Sequence, residues 1–269
     1  MDPPREQRSD HVSNGVRRRV RRRAIPGRGA RSRLASERAG YGAAVALEWT
    51  RGQAAVIDVD GTLVDTNYHH VVAWDLAFDR IGTFVATNVL HRHVGMGGDQ
   101  FVGAVAGDEL ERERGDEVRA LHDEIFRERF IDHVRPYPDA RRFLGRLGEL
   151  GLRVVLASSA RQDEIDRYLD LLDARGLCDA WTSSADVEKT KPHPDLLEAA
   201  IEKAGAAPAF LVGDSIWDCE AAQRIGLPTL ALMTGGFGRD ELLAAGAAEV
   251  FDGLPDALEG IEAVEAVRS

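Results

Sequence analysis

The stretch "AVIDVDGTLVDT", residues 55–66, is an apolar run followed by three aspartates, Asp58, Asp60 and Asp65. Residues i and i+2 of an extended segment point the same way, so Asp58 and Asp60 project towards one site while Val59 points elsewhere. Two carboxylates about 4 Å apart repel by about 4 kcal/mol at an effective dielectric of about 20. Such crowding persists where a divalent cation sits among the groups or one of them holds a proton. Mg²⁺, which prefers carboxylate and carbonyl oxygens, suits aspartates drawn from neighbouring strand ends.

Outward from this stretch the chain alternates short apolar runs with amphipathic segments, the pattern of parallel strands covered by helices. Strands are expected at 54–59, 153–158, 209–214, 228–232 and, more weakly patterned, 248–251. Helices are expected at Pro138–Leu150, Gln162–Leu172, Pro194–Ala204, Ile216–Ile225 and Arg239–Ala245. The sum is a doubly wound α/β fold with a mostly parallel, Rossmann-like sheet. Residues 67–135 interrupt the rhythm with helical patterns only, such as 70–81 and 117–130, and read as a helical subdomain inserted after the first strand. Residues 94–100, "VGMGGDQ", read as a plain turn; a phosphate cradle would need a strand before it and a helix after it.

Residues 46–66 and 136–269 would then form the core and 67–135 the insertion. Residues 1–45 are rich in Arg, Gly, Ser and Pro without hydrophobic period, and read as a disordered basic tail. The first 50 residues hold 12 Arg against 5 Asp and Glu, so the net charge of −11 leaves the rest of the chain at −18. This tail is the sole hint of nucleic-acid binding, and a solvated extension is the preferred reading. The two cysteines, Cys178 and Cys219, have neither disulfide-framework nor metal-ligand spacing. No apolar run approaches the roughly 20 residues of a membrane-spanning helix, and the amino terminus lacks the apolar core of a secretory signal. The expectation is a soluble, cytoplasmic protein.

Ligands of open α/β sheets bind outside the carboxyl ends of the strands. Those ends carry Asp58-Val59-Asp60-Gly61, Ser158-Ser159 and Gly213-Asp214-Ser215, with Asp218 one helical turn further and Lys191 in the loop 188–195. A carboxylate can attack phosphorus, a second can move protons, a lysine and a serine can hold phosphoryl oxygens, and a metal can neutralise charge. Any one of these residues has a plainer reading, such as Asp214 or Ser215 capping the helix at 216. Capping does not explain why these three strand ends present metal and phosphate chemistry together.

"DVDGTLVDT" (58–66), "LASS" (156–159), "KPHPD" (191–195) and "GDSIWD" (213–218) occur in the order and approximate spacing of the four motifs of the haloacid dehalogenase-like hydrolases, which the chain resembles over residues 53–260. The helical segment after the first motif resembles the cap of phosphoglycolate phosphatases and β-phosphoglucomutases. The resemblance implies Asp58 as nucleophile and Mg²⁺ ligand, and Asp60 as general acid and base that also gives the metal its backbone carbonyl. It implies Gly61 and Thr62 as the turn beside the nucleophile, Ser158 as a phosphate ligand with Ser159 beside it, and Lys191 as the lysine of the third motif. Asp214 becomes a metal ligand, Asp218 an outer carboxylate, and Asp65 and Thr66 lie near the hinge of the cap. His70 stands at an offset where cap-bearing relatives carry a histidine, whereas His69, His91, His93, His122, His133 and His193 read as exposed or locally bonded.

The implied activity is a Mg²⁺-dependent phosphatase acting on a small phosphate ester. A β-phosphoglucomutase-like reaction is the alternative, but such mutases carry an arginine in the cap loop where this chain has "GMGGDQ", which leaves Arg92 or Arg114 as substitutes. A dehalogenase needs neither Asp60 nor the Gly-Asp of the fourth motif, and an idle binding protein needs none of the set.

Overall fold

The computed structural model describes residues 48–268, all within one compact unit. The basic stretch 1–45 lies outside the described residues. Six parallel strands form one sheet, β1 (Ala54–Ile57), β2 (Arg153–Leu156), β3 (Ala180–Trp181), β4 (Pro208–Gly213), β5 (Thr229–Leu232) and β6 (Glu249–Phe251), in the order β3-β2-β1-β4-β5-β6. Alternate residues of each strand feed opposite cores. Ala55 and Ile57, Val154 and Leu156, and Phe210 and Val212 enter one apolar cluster, while Ala54 and Val56, Val155, and Leu211 enter another. A sheet covered on both faces must be apolar on both, which is why these strands read as continuous runs rather than as alternating patterns.

Helices α5 (Ala140–Glu149), α6 (Gln162–Leu171), α7 (Asp195–Ala204), α8 (Ile216–Arg224) and α9 (Arg239–Ala244) match the expected segments to within two residues at each end. Two core elements have no counterpart in the sequence reading. One is β3, two residues at the sheet edge paired with Val155 and Leu156. The other is α10 (Leu254–Arg268), which packs Leu254, Ala257, Leu258 and Ile261 into the first cluster.

Between β1 and α5 lie α1 (Asn67–Arg80), α2 (Thr87–His93), α3 (Gly98–Ala106) and α4 (Asp108–Arg129). The chain leaves and returns side by side, with Val64 bridged to Pro136 and the Asp65 N–H donating to the Arg135 carbonyl at 2.9 Å. Helix α4 begins nine residues before the periodic segment at 117, and its acidic first turn (Asp108, Glu109, Glu111) and basic last turn (Arg127, Arg129) suit the helix dipole. The stretch 94–100 is a turn only as far as Gly97, because α3 starts at Gly98. Gly97 permits a close approach: a Cβ there would lie 1.5 Å from Thr190 Oγ1.

Candidate active site

The sheet order changes direction beside β1: the chain proceeds from β1 to β2 and β3 on one side, then to β4 on the other. Crevices of open α/β sheets form at such a switch point. The ladder runs one residue past β1, as the Asp58 N–H donates to the Val212 carbonyl at 2.9 Å, so Asp58 is delivered by regular pairing. Asp214 follows β4 directly. The Thr62 hydroxyl lies 3.3 Å from Asp58 Oδ2 and 3.0 Å from Asp214 Oδ1, and Asn67 Nδ2 donates to Asp214 Oδ2 at 2.7 Å. Gly61 makes this convergence possible. Its φ of +78° is left-handed, and a Cβ there would stand 2.2 Å from Asp214 Oδ2 and 2.4 Å from Asn67 Nδ2. Gly61→Ala is therefore expected to cost on the order of 2 kcal/mol and to displace Asp214. A melting curve within a degree of the parent, with unchanged activity, would contradict the assignment.

Lys191 reaches the same floor from the loop before α7. Its ammonium, with the side chain almost fully buried, bonds Asp58 Oδ1 at 2.6 Å and Asp218 Oδ1 at 2.8 Å. Asp218 uses its other oxygen as well: Oδ2 takes the Ser215 N–H at 3.1 Å and hydroxyl at 2.5 Å, closing a capping box at the start of α8. The capping reading and the site reading of this segment are thus both realised, by one carboxylate. Burial pushes the carboxyls of Asp58 and Asp214 up, Asp214 to about 7, with neighbouring carboxylates adding to the effect and Lys191 opposing it. Burial alone would lower the Lys191 ammonium, but Asp218 and Asp58 overcome this and hold it above its ordinary range.

Asp60 turns away from this floor towards the helical segment. Thr66 donates to its Oδ1 at 2.9 Å, His70 Nε2 stands 3.5 Å from the same oxygen, and the Ser158 hydroxyl lies 3.5 Å from Oδ2. Burial raises its carboxyl, but bonds and charge from His70, Thr66 and Lys191 more than offset this and leave it lowered. His70 is joined in turn to His122, Nδ1 to Nε2 at 3.1 Å, and His122 Nδ1 faces Asp123 Oδ1 at 3.1 Å. Burial brings His122 down to about 4, so it is neutral at pH 7 with its proton on the nitrogen facing Asp123. Its Nε2 must then accept from His70 Nδ1–H.

His122 is locally bonded, to the adjacent Asp123, but it is not exposed. It is buried, stacked on Trp74 at 3.9 Å, and borders the cavity. The available signal was its place in α4, on the stripe Val118, His122, Ile125, Phe126, where a polar residue occupies an apolar position. Asn67 was also missed. It begins α1, and only the folded chain brings it to Asp214.

These groups open into a cavity of about 290 Å³ bounded on the core side by Asp58, Asp60, Ser159 and Lys191, and on the helical side by His70, Trp74, Met96 and His122. Ser159 faces the cavity, whereas Ser158 is fully buried and accepts the Ala160 N–H at 3.1 Å. Thr190 donates its N–H to Asp99 Oδ2 at 3.1 Å and its hydroxyl to Oδ1, tying the lysine loop to α3. Arg92 pairs with Glu241 and lies over the Phe237 ring, and Arg114 pairs with Glu117, so neither expected substitute borders the cavity.

The donor set fits a hard divalent cation. Ligand oxygens of Asp58, Asp214 and Asp218 lie within 4.8 Å of one another, all buried. Asp218 already accepts three bonds, from Lys191 and from the Ser215 N–H and hydroxyl, against two contacts each at Asp58 and Asp214, so the latter pair have more capacity left as carboxylate donors. The Asp60 carbonyl accepts no hydrogen bond among the described residues. Buried carboxylates in excess of their one cationic partner, Lys191, are the environment that such an ion satisfies.

The fold and the crowded acidic cleft at the strand ends are those of an α/β enzyme, and comparison with known proteins agrees. Residues 53–226 match the haloacid dehalogenase-like hydrolase family, and the chain belongs to that family. It is 25% identical over 188 residues to a phosphoglycolate phosphatase of Aquifex aeolicus, covering 67% of this chain and 84% of that protein. It is 25% identical over 186 residues to the pyrophosphatase PpaX of Bacillus velezensis, covering 66% and 82%. A hydrolase from Pseudomonas syringae superposes with a TM-score of 0.73 at 30% identity, covering 78% of this chain and 98% of that one. Within the family the chain is a phosphatase. No helix among the described residues is long and apolar enough to cross a membrane.

Proposed function

We propose that the chain is a Mg²⁺-dependent phosphatase that hydrolyses a small phosphorylated metabolite in the cytoplasm through an aspartyl-phosphate on Asp58. The observation that carries this reading is the Asp58 carboxylate at the cavity floor, one oxygen held by the Lys191 ammonium at 2.6 Å and the other beside Thr62. A carboxylate fixed in this way is aimed without rotational freedom.

The bound phosphate ester, as a neighbouring negative charge, raises the Asp60 carboxyl so that it takes up a proton on binding; Asp58 then attacks phosphorus as the ester P–O bond breaks, and Asp60 gives that proton to the departing alcohol oxygen. Asp60 then takes a proton from the water that cleaves the acyl phosphate, releasing phosphate and restoring Asp58. Lys191 and Ser159 hold phosphoryl oxygens, and Ser158 supports the site from beneath through its contact with Asp60. Asp58, Asp214 and the Asp60 carbonyl would hold Mg²⁺, which supplies charge neutralisation for the transferring group. His70, oriented by His122 and Asp123, positions Asp60. The insertion 67–135 serves as a cap over the core formed by 46–66 and 136–269.

The named relatives make phosphoglycolate and pyrophosphate candidate substrates. The mutase alternative is the weaker reading, because the loop 95–100 brings no basic side chain to the cavity and Arg92 and Arg114 are engaged elsewhere, although Arg119 and Arg161 border the cavity. Phosphate release from p-nitrophenyl phosphate in Mg²⁺ is expected to stop in excess EDTA and to return when Mg²⁺ is restored. Hydrolysis that continues in the chelator would rule the reading out.

A further inference from the structure

Past Asp58 and Asp60, the charged wall of the cavity consists of Asp99, Arg119, Asp123, Arg161, Glu164 and Glu188. Two are cations, and both are already engaged. Arg119 gives Nη1 to Glu111 at 2.9 Å and to the Gly98 carbonyl at 3.2 Å, and Nη2 to Asp116 at 2.8 Å. Arg161 directs Nε to Asp163 at 3.3 Å, with Asp123 3.8 Å from its Nη1. Each guanidinium thus faces two carboxylates, and the local balance around it is negative. Lys191, the third cation at the cavity, is likewise shared by Asp58 and Asp218.

Among the acids of the wall, Asp123 is shared by His122 and Arg161, and Glu164 is little used. Asp99 is taken up by Thr190 and by Gln100 Nε2 at 2.7 Å. Glu164 is only 7% exposed, yet it borders the cavity and takes a single bond among the described residues, a loose 3.4 Å contact from the Arg161 N–H. Burial lifts its carboxyl to about 7, so that near neutral pH it can both donate and accept. A substrate bearing a carboxylate or a second phosphoryl group would meet four acids on this wall against two arginines, each of which already faces two carboxylates. Hydroxyl or ammonium groups would meet acceptors.

Resting on the phosphatase reading above, we propose that the substrate is a phosphate monoester whose leaving alcohol is rich in hydrogen-bond donors and carries no second anionic group. Asp123 and Glu164 are the residues that select it. The proposal separates this chain from the phosphoglycolate and pyrophosphate named for its relatives.

The test measures kcat/KM of the full chain in Mg²⁺, with p-nitrophenyl phosphate as common reference. One group of esters is glycerol 3-phosphate, glucose 6-phosphate and phosphoethanolamine; the other compounds are phosphoglycolate, 3-phosphoglycerate and pyrophosphate. The best of the first group is expected to exceed every member of the second by at least about tenfold. Preference for phosphoethanolamine would assign the donor as an ammonium, and preference for the other two as hydroxyls. Phosphoglycolate or pyrophosphate equal to or above the first group would overturn the proposal while leaving the phosphatase reading intact. Failure to hydrolyse even the reference ester would overturn both. As a second measurement, the double variant Asp123→Asn, Glu164→Gln is expected to narrow the ratio of donor-rich to anionic substrates by about fivefold or more. An unchanged ratio in a folded variant would also overturn the proposal.

Discussion

Replacing Asp58 with asparagine is expected to lower Mg²⁺-dependent phosphate release by about 10⁴-fold or more while leaving the fold in place. The amide keeps the shape of the carboxylate but has no charged oxygen with which to attack phosphorus. Folding should survive because Asp58 is delivered by sheet pairing through its own N–H, and Lys191 retains Asp218 at 2.8 Å. The carboxylate of Asp58 is held in the folded chain against the cost of burial, so neutralising it removes a cost as well as a bond. A thermal midpoint close to that of the parent, together with loss of turnover and of hydroxylamine-labile phosphate on the protein, is the expected pair of results. Retained turnover would remove Asp58 from the role of nucleophile.

Lys191→Met is expected to damage stability as well as activity. The ammonium is the shared partner of Asp58 and Asp218, both almost fully buried, and a methionine of similar length leaves both carboxylates facing apolar volume. Removing one member of a buried ion set costs about 3–5 kcal/mol, largely through the charge left behind. Urea denaturation should therefore show a midpoint well below the parent's. Adding Asp218→Asn should recover part of the stability and none of the activity, because it deletes a stranded charge without replacing the cation. If Lys191→Met alone unfolds at the parent's midpoint, the ammonium is not the counterweight of this site.

How far these features were legible beforehand follows from the range of the forces involved. Asp58, Asp60, Lys191 and Asp214 lie at strand ends or in the loop before a helix, so local pattern places them and sheet topology brings them together. The two-residue β3 escaped because "AW" has no periodicity, and it exists through pairing with β2 alone. Helix α3 escaped because its first residue is the second of two adjacent glycines, whose helix propensity is poor, while packing of Phe101 against Trp74 at 4.4 Å holds it. Asn67 and His122 act through partners 147 and 52 residues away, Asp214 and His70, and such pairings are set by tertiary packing. For His122 the sequence contained an anomaly, a titratable side chain on an apolar stripe, but not its partner.

The chain exits the core at Asp65 and comes back at Arg135 through neighbouring backbone groups, with the Tyr137 hydroxyl donating to Asp65 Oδ1 at 3.2 Å. A segment whose ends are pinned together by its host pays only about 0.6 kcal/mol more closure entropy for each doubling of its length. The chemistry at the strand ends and the walls that choose the alcohol can therefore drift independently through mutation. Such modularity lets one phosphate-handling floor be inherited intact while the four helices above it are rewritten for a new metabolite.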